Sequence, residues 1–287
     1  MPLDPTTGAW EARFKKGIDY RAFPPEMTPE ERFALAREAG FDGIELVFSA
    51  TGALPLDASD EELIRLRALG GRYVPICGVN GGRALLEAPL THPDPERRQA
   101  AFKMAQRLIE MTARLEADTL LTAPGVVVAD VPYDDAYSFC VDTMGKLARY
   151  AAERGVRLAV ENVWNKFLLS PLEMRSFIDE VASDWVGAYF DVANTLLFGF
   201  PQHWIRILNH RILRVHMKDF RLSVGNINGF LQPLQGDVDW PAVMQALVEV
   251  KYRGFLTVEI PSYQFCGART VYDASSALDA IIALTPA

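Results

Sequence analysis

Four residues in the second half of the chain stand where short apolar runs end. Glu161 follows RLAV, Asp191 follows VGAYF, His216 follows ILRV and Glu259 follows FLTV. A charged group inside or at the end of such a run is costly to bury and therefore informative. The four are separated by 30, 25 and 43 residues, one strand-helix unit each, with a longer loop in the last. Three carboxylates and one imidazole suit a hard or borderline divalent ion such as Mn²⁺, Mg²⁺, Co²⁺ or Zn²⁺, and no sulfur joins them. Such an ion can hold the carbonyl and neighbouring hydroxyl of a sugar and stabilise an enediolate. Glu161 and Glu259 come from different strands and can flank that substrate as an acid/base pair. The competing reading is a layer of ion pairs without a metal, in which His216 is a satisfied core histidine.

Further polar residues fall near the same strand ends. Glu45 follows FDGI and reads as a metal ligand, a partner of sugar hydroxyls or a structural ion pair. Lys218 and Arg221 follow His216 and are candidates for a substrate oxygen or phosphate, with a buried Lys218–Asp219 pair as the alternative. Asn194 lies three residues after Asp191 and either reaches substrate or caps a turn. Trp164 and Phe167 can wall a sugar face or pack in the core. Asn80 and His92 sit in the loop after the third strand, where His92 can orient a helix start. His203 and His210 read as structural or exposed. The stretch SVGNINGFLQPLQG, residues 223 to 236, reads as a loop able to close over substrate.

Elements must bring these residues together. Apolar runs at 41–48, 73–79, 118–123, 156–163, 186–192, 212–217 and 255–260 read as strands, with a weaker candidate at 17–21. The later runs are rich in Val, Ile and Leu and poor in alternation, as buried parallel strands are. Between them lie helical segments: about 28–39, 60–69, 94–116, 133–154, 170 onward, 201–209, 241–250 and 270–284. Thr28 with Glu31 forms a capping-box pattern, and Pro29 suits the first turn. Gly40 and Gly155 suit helix ends. Eight such units predict a (β/α)₈ TIM barrel, with the chemistry at the C-terminal ends of the strands. GVNGG, residues 78 to 82, lacks the spacing and position of a dinucleotide loop and is read as a loop before a helix more than ten residues later. A doubly wound sheet is the weaker alternative. The expected organisation is one domain over 1–287, with the barrel proper at about 15–284.

The chain has 287 residues, 49% hydrophobic and 23% charged, so it can build a sizeable core and is not disordered as a whole. Three cysteines at 77, 140 and 266 exclude a disulfide-dense scaffold and form no local zinc pair. A net charge of −8 argues against a broad nucleic-acid face. The N-terminal MPLDPTTGAW shows no signal-peptide pattern, and no apolar stretch is long enough to span a membrane. The expectation is a cytoplasmic protein without membrane or nucleic-acid partners, acting on a small carbohydrate.

AVENVWNKF around Glu161, YFDVAN around Asp191, VHMKDF around His216, GDVDWPAVMQAL and TVEI around Glu259 together resemble the sugar-phosphate isomerase/epimerase family of xylose isomerase-like TIM barrels, ketose 3-epimerases among them. The likeness spans roughly residues 15 to 284. It implies one divalent ion, most often Mn²⁺, on Glu161, Asp191, His216 and Glu259, and proton exchange by Glu161 and Glu259. Association into a homo-dimer or homo-tetramer is expected for this kind of barrel. Two positions depart from the pattern. Many such epimerases carry a histidine where this chain has Asn194, and a second glutamate where it has Lys166-Phe167-Leu168. An isomerase or epimerase is the first expectation. A lyase or dehydratase using the same proton abstraction is the second. An abasic-site endonuclease would need more histidine and a basic face, and a noncatalytic barrel would have no use for four convergent ligands.

Overall fold

The computed structural model describes residues 14–49, 54–123 and 125–286, so the N-terminal decapeptide considered above lies outside the described residues. The apolar runs become seven parallel strands in order: β1 (Lys15–Asp19), β2 (Gly43–Val47), β3 (Ile76–Asn80), β4 (Thr119–Thr122), β5 (Arg157–Glu161), β6 (Val186–Asp191) and β7 (Ile212–Met217). A two-residue antiparallel pair follows, β8 (Asp219–Phe220) with β9 (Phe230–Leu231), and the eighth barrel strand is β10 (Phe255–Val258). The barrel closes in the order β1-β10-β7-β6-β5-β4-β3-β2.

Nine α-helices accompany the strands among the described residues: α1 (Pro29–Glu38), α2 (Asp60–Arg72), α3 (Gly82–Glu87), α4 (Pro95–Arg114), α5 (Tyr133–Ala152), α6 (Pro171–Val181), α7 (Pro201–Leu208), α8 (Trp240–Glu249) and α9 (Ala268–Ile282). The Thr28 side chain accepts from the Glu31 amide, and the Glu31 carboxylate accepts from the Thr28 amide, so the predicted capping box starts α1. Gly40 and Gly155 take the left-handed φ values of 82° and 69° that their helix-ending role requires.

Three expectations need correction. The weak first strand is Lys15–Asp19 rather than 17–21, and a 3-10 turn at Tyr20–Ala22 follows it. α2 continues through Gly70-Gly71 to Arg72. The loop expected after β3 contains α3, a helix that starts at Gly82 with no side-chain cap and so shows no capping pattern in the sequence.

Strand alternation decides which residues face the barrel interior. Leu121, Ala159 and Tyr189 form a small cluster with Leu213, apart from the main core that holds their neighbours Leu120, Val160 and Phe190. Two residues beyond Ala159 lies Glu161, and two beyond Tyr189 lies Asp191. The same step carries Gly43 to Glu45, Arg214 to His216 and Thr257 to Glu259. Gly43 could not carry a side chain, since a Cβ there would come within 2.7 Å of Phe255 and 2.9 Å of Cys77. Polar groups thus end the interior columns of β2, β5, β6, β7 and β10 at one mouth of the barrel.

Candidate metal centre and active site

Strand register sets these groups side by side. Asp191 pairs in register with His216, and His216 with Thr257, the interior residue two before Glu259. One ligand atom each from Glu161, Asp191, His216 and Glu259 lies within 4.8 Å of the others, the convergence expected from the strand ends. His216 Nδ1 is 3.1 Å from Glu161 Oε1, 3.7 Å from Glu259 Oε2 and 3.8 Å from Asp191 Oδ2. Asp191 and His216 are fully buried, and Glu161 nearly so.

The other ring nitrogen fixes the histidine. His216 Nε2 is 2.9 Å from Glu45 Oε1, and the Tyr189 hydroxyl donates to Glu45 Oε2 at 2.6 Å. Glu45 is fully buried behind the ring and does not line the mouth. Glu45 thus pairs with His216, and Asp19, Glu45 and His216 also offer ligand atoms that lie within 4.8 Å of one another. A carboxylate on the far nitrogen holds a ligating histidine's tautomer and aim.

Asp191 is held by backbone geometry. Its Oδ1 accepts from the Asn194 amide at 2.8 Å, and its backbone N–H and C=O bond the Asn162 side chain at 2.8 Å each. Its Oδ2 is buried without a well-directed hydrogen bond, although Lys218 Nζ stands 2.7 Å away. Proximity makes this an ion pair, and the oxygen keeps a lone pair for another partner. Lys218 Nζ also hydrogen-bonds Glu259 Oε2. The predicted alternative of a Lys218–Asp219 pair does not form. Asp219 instead accepts from the amides of Phe220 and Val238 and from Trp240 Nε1, at 2.9, 3.1 and 3.1 Å, which ties the start of α8 to the barrel.

Arg21, which the sequence reading missed, completes the cluster. It follows the weakest strand in the 3-10 turn, where no periodicity marks it. Its backbone N–H, Nε and Nη2 bond the buried Asp19 carboxylate at 2.8, 2.9 and 2.8 Å, and Nη2 also donates to Glu259 Oε1. Glu259 is therefore gripped by a cation on each oxygen.

The electrostatics follow from burial and neighbours. Burial, then the Glu259 charge, lifts Glu161 to about 7, against the opposing pull of His216 and Lys218. Burial also raises Asp191, with Lys218 opposing. Burial would raise Glu259 too, but Lys218, His216 and Arg21 outweigh it and hold it well below the usual carboxylate range.

A cavity of about 460 Å³ opens over the cluster. Asn80, Trp164, Asn194 and Lys218 line it, together with Arg21, Arg83, Ile227 and Phe230. Trp164 Nε1 donates to Asn194 O at 2.8 Å, and its ring meets Phe230 at a centroid distance of 5.0 Å. Ile227 and Phe230 come from the 223–236 stretch, so this loop reaches the mouth. Arg221 does not: it pairs with Asp237 at 2.9 Å and bonds Gln235 O, across the base of the same loop. Phe167 lies in the core between Tyr133, Tyr137 and Phe177. His92 Nδ1 accepts from the Asp94 amide at 3.0 Å, where it orients the start of α4.

The donors fit a divalent cation. All are oxygen or imidazole nitrogen, and they converge.

Residues 33–282 match the family described as xylose isomerase-like TIM barrel. A putative L-ribulose-5-phosphate 3-epimerase of Escherichia coli K12 is 25% identical over 259 residues, 85% of this chain and 87% of that protein. A 3-dehydroshikimate dehydratase of Pseudomonas putida is 24% identical over 266 residues, 89% of this chain but 39% of that protein. The structure of D-psicose 3-epimerase with D-tagatose from Clostridium cellulolyticum H10 superposes with a TM-score of 0.78 at 18% identity, over 96% of this chain and 100% of the other. That likeness is one of fold.

Proposed function

The chain belongs to the xylose isomerase-like TIM-barrel family, and from that premise we propose a metal-dependent epimerase or isomerase of a sugar or sugar phosphate. It works by proton transfer at the carbon beside a carbonyl. The observation that carries this reading is the convergence of Glu161, Asp191, His216 and Glu259 under one cavity. These four residues would hold one divalent ion, Mn²⁺ first among Mg²⁺, Co²⁺ and Zn²⁺. When bound, the ion supplies Lewis acidity toward a carbonyl and its neighbouring hydroxyl.

The chain's own residues do the rest. Glu161 and Glu259 reach the cavity from β5 and from the end of β10, on opposite sides of β6 and β7. One glutamate, ionised, takes the proton from the carbon beside the carbonyl, and the other, protonated from solvent, delivers its own proton. Return to the opposite face of the same carbon is epimerisation, and return to the adjacent carbon is isomerisation. Arg21 and Lys218 hold the Glu259 carboxylate in place, and Glu45 holds His216. Asn80, Asn194, Lys218 and Trp164 position the sugar. Arg221, tied to Asp237, is left out of this set.

The likeness to a 3-dehydroshikimate dehydratase supports a second reading, elimination after the same proton abstraction. One experiment separates them. The protein is stripped with a chelator, reloaded with single divalent ions and incubated with keto-sugars and their phosphates in heavy water. The predicted result is one carbon-bound deuterium in an isomeric product. A product lacking the elements of water would replace this reading with elimination, and activity that survives chelation would overturn both.

A further inference from the structure

Three cations stand on the cavity wall among the described residues: Arg21, Arg83 and Lys218. Two are engaged by the cluster. Arg21 is tied to Asp19 and Glu259, and Lys218 to Asp191 and Glu259. Arg221, which the sequence also offered for a phosphate, is turned away to Asp237. Arg83 is the cation left over. Its Nε donates to Glu87 Oε1 at 2.9 Å, one turn along α3, and neither terminal nitrogen has a hydrogen-bond partner among the described residues. The two side chains are 83% and 67% exposed, so water competes with the pair and Glu87 holds Arg83 weakly.

A second unengaged donor lies deeper on the same segment. Asn80 ends β3 and is 5% exposed. Its Oδ1 accepts from the Gly82 amide at 3.1 Å, which fixes the side-chain amide and leaves Nδ2 unpartnered on the cavity wall. The chain between the two donors runs beside the reacting end. A Cβ on Gly82 would stand 2.7 Å from Leu121 Cδ2 and 3.7 Å from Glu161 Oε2, so α3 begins next to that glutamate. From Glu161 outward the wall therefore offers Asn80 Nδ2 and then, at the rim, the Arg83 guanidinium. Both groups only donate, because the amide oxygen is used and a guanidinium has no acceptor. A charged, forked donor suits an oxyanion. The excess carboxylate of the cluster repels an anion, which favours the rim over the floor as its place.

We propose that the substrate is a sugar phosphate and that Arg83 selects it, taking the phosphate at the rim while Asn80 donates to an oxygen nearer Glu161. The three phosphate oxygens can use both terminal nitrogens of Arg83 and still face water on the exposed side. Glu87 then competes with the phosphate for Arg83. The proposal rests on the reading of the carboxylate–histidine cluster as the reacting end.

The test is calorimetric titration of Mn²⁺-loaded protein. The probes are D- and L-ribulose, D- and L-xylulose and D-fructose, each with and without its terminal phosphate, and D-fructuronate as a sugar carboxylate. At least one phosphate should bind about tenfold tighter than its parent sugar. Arg83→Gln should bring that ratio close to one by weakening the phosphate, and Arg83→Lys, which keeps the charge but not the fork, should give an intermediate ratio. Glu87→Gln should keep or raise the ratio, whereas a plain surface ion pair would respond alike to the loss of either partner. Four results overturn the proposal. In the first, no phosphate binds tighter than its parent. In the second, the ratio survives Arg83→Gln, which would put the phosphate on the ion. In the third, Glu87→Gln lowers the ratio as Arg83→Gln does. In the fourth, fructuronate binds tighter than any of the phosphates. Binding is read without turnover. Loss of the phosphate preference with deuterium exchange intact would overturn this proposal alone, and an Arg83-dependent preference without exchange would overturn the proton-transfer reading alone.

Discussion

The barrel holds two buried polar groups, one at each end, and they solve opposite problems. At the floor, Arg214 enters the interior from β7, donates to Cys77 O and to Asp118, and lies over the Phe255 ring. Asp118 also takes bonds from Arg157 at 2.6 Å and from Thr119 at 2.8 Å. Burial would raise Asp118, yet Arg214, Thr119 and Arg157 hold it below the usual range. At the mouth, Asp19, Glu45, Glu161, Asp191 and Glu259 face two permanent cations, Arg21 and Lys218, and one histidine. Here burial wins at Glu161, and it raises Asp191 as well. The matched group is structural. The excess of carboxylate at the mouth is a demand for positive charge that a divalent ion would meet.

Substitutions should separate the two ends. The largest effect is expected from Glu161→Gln and Glu259→Gln, which keep shape but remove the proton carriers. Each should lower kcat by about a thousandfold in the heavy-water assay, and Glu161→Gln, which strands no permanent cation, should leave urea unfolding nearly unchanged. Asp118→Asn should do the reverse. It strands a buried Arg214 and should cost about 2–3 kcal/mol in urea denaturation, since Asp118 itself is half-exposed, with kcat of the folded protein unaltered. Equal loss of stability at both ends would erase the distinction.

Smaller effects sharpen it. Glu45→Gln weakens the hold on His216 and should reduce Mn²⁺ affinity about 10–100-fold, measured calorimetrically. The Glu161 carboxyl sits at about 7 in the metal-free protein. Its folded value lies above its ordinary one, so its contribution to metal-free stability is lost as pH rises through about 7. A metal ion requires the proton to leave, so Mn²⁺ affinity should rise with pH through 7, and continue to rise above it because His216, which burial would lower but the Glu259 and Glu45 charges hold well above its ordinary value, must lose its proton too. A flat profile from pH 5 to 8 would remove Glu161 from the ligand set.

The mouth was legible in the sequence where a charge broke an apolar run. Glu161, Asp191, His216 and Glu259 each ended a strong strand, and the eight-unit repeat told which end they shared. Arg21 was not legible, because β1 is short and its following turn carries no period. Arg221 and Lys218 looked alike in sequence, but a β8–β9 hairpin turned one toward Asp237 while the other stayed at the strand end. Glu45 was visible as a buried acid. Its partner, Tyr189, is 144 residues away, and only the closed barrel brings them together. α3 left no trace because it begins at a glycine without a capping side chain.

The central claim is that the unmatched carboxylates at the mouth are a metal site. Its most direct test is titration of the chelator-treated protein with Mn²⁺, following the free-ion electron paramagnetic resonance signal, in parallel with Asp191→Asn. The account predicts one tight Mn²⁺ per chain and loss of that site in the variant. No tight binding, or binding that Asp191→Asn leaves intact, would contradict it.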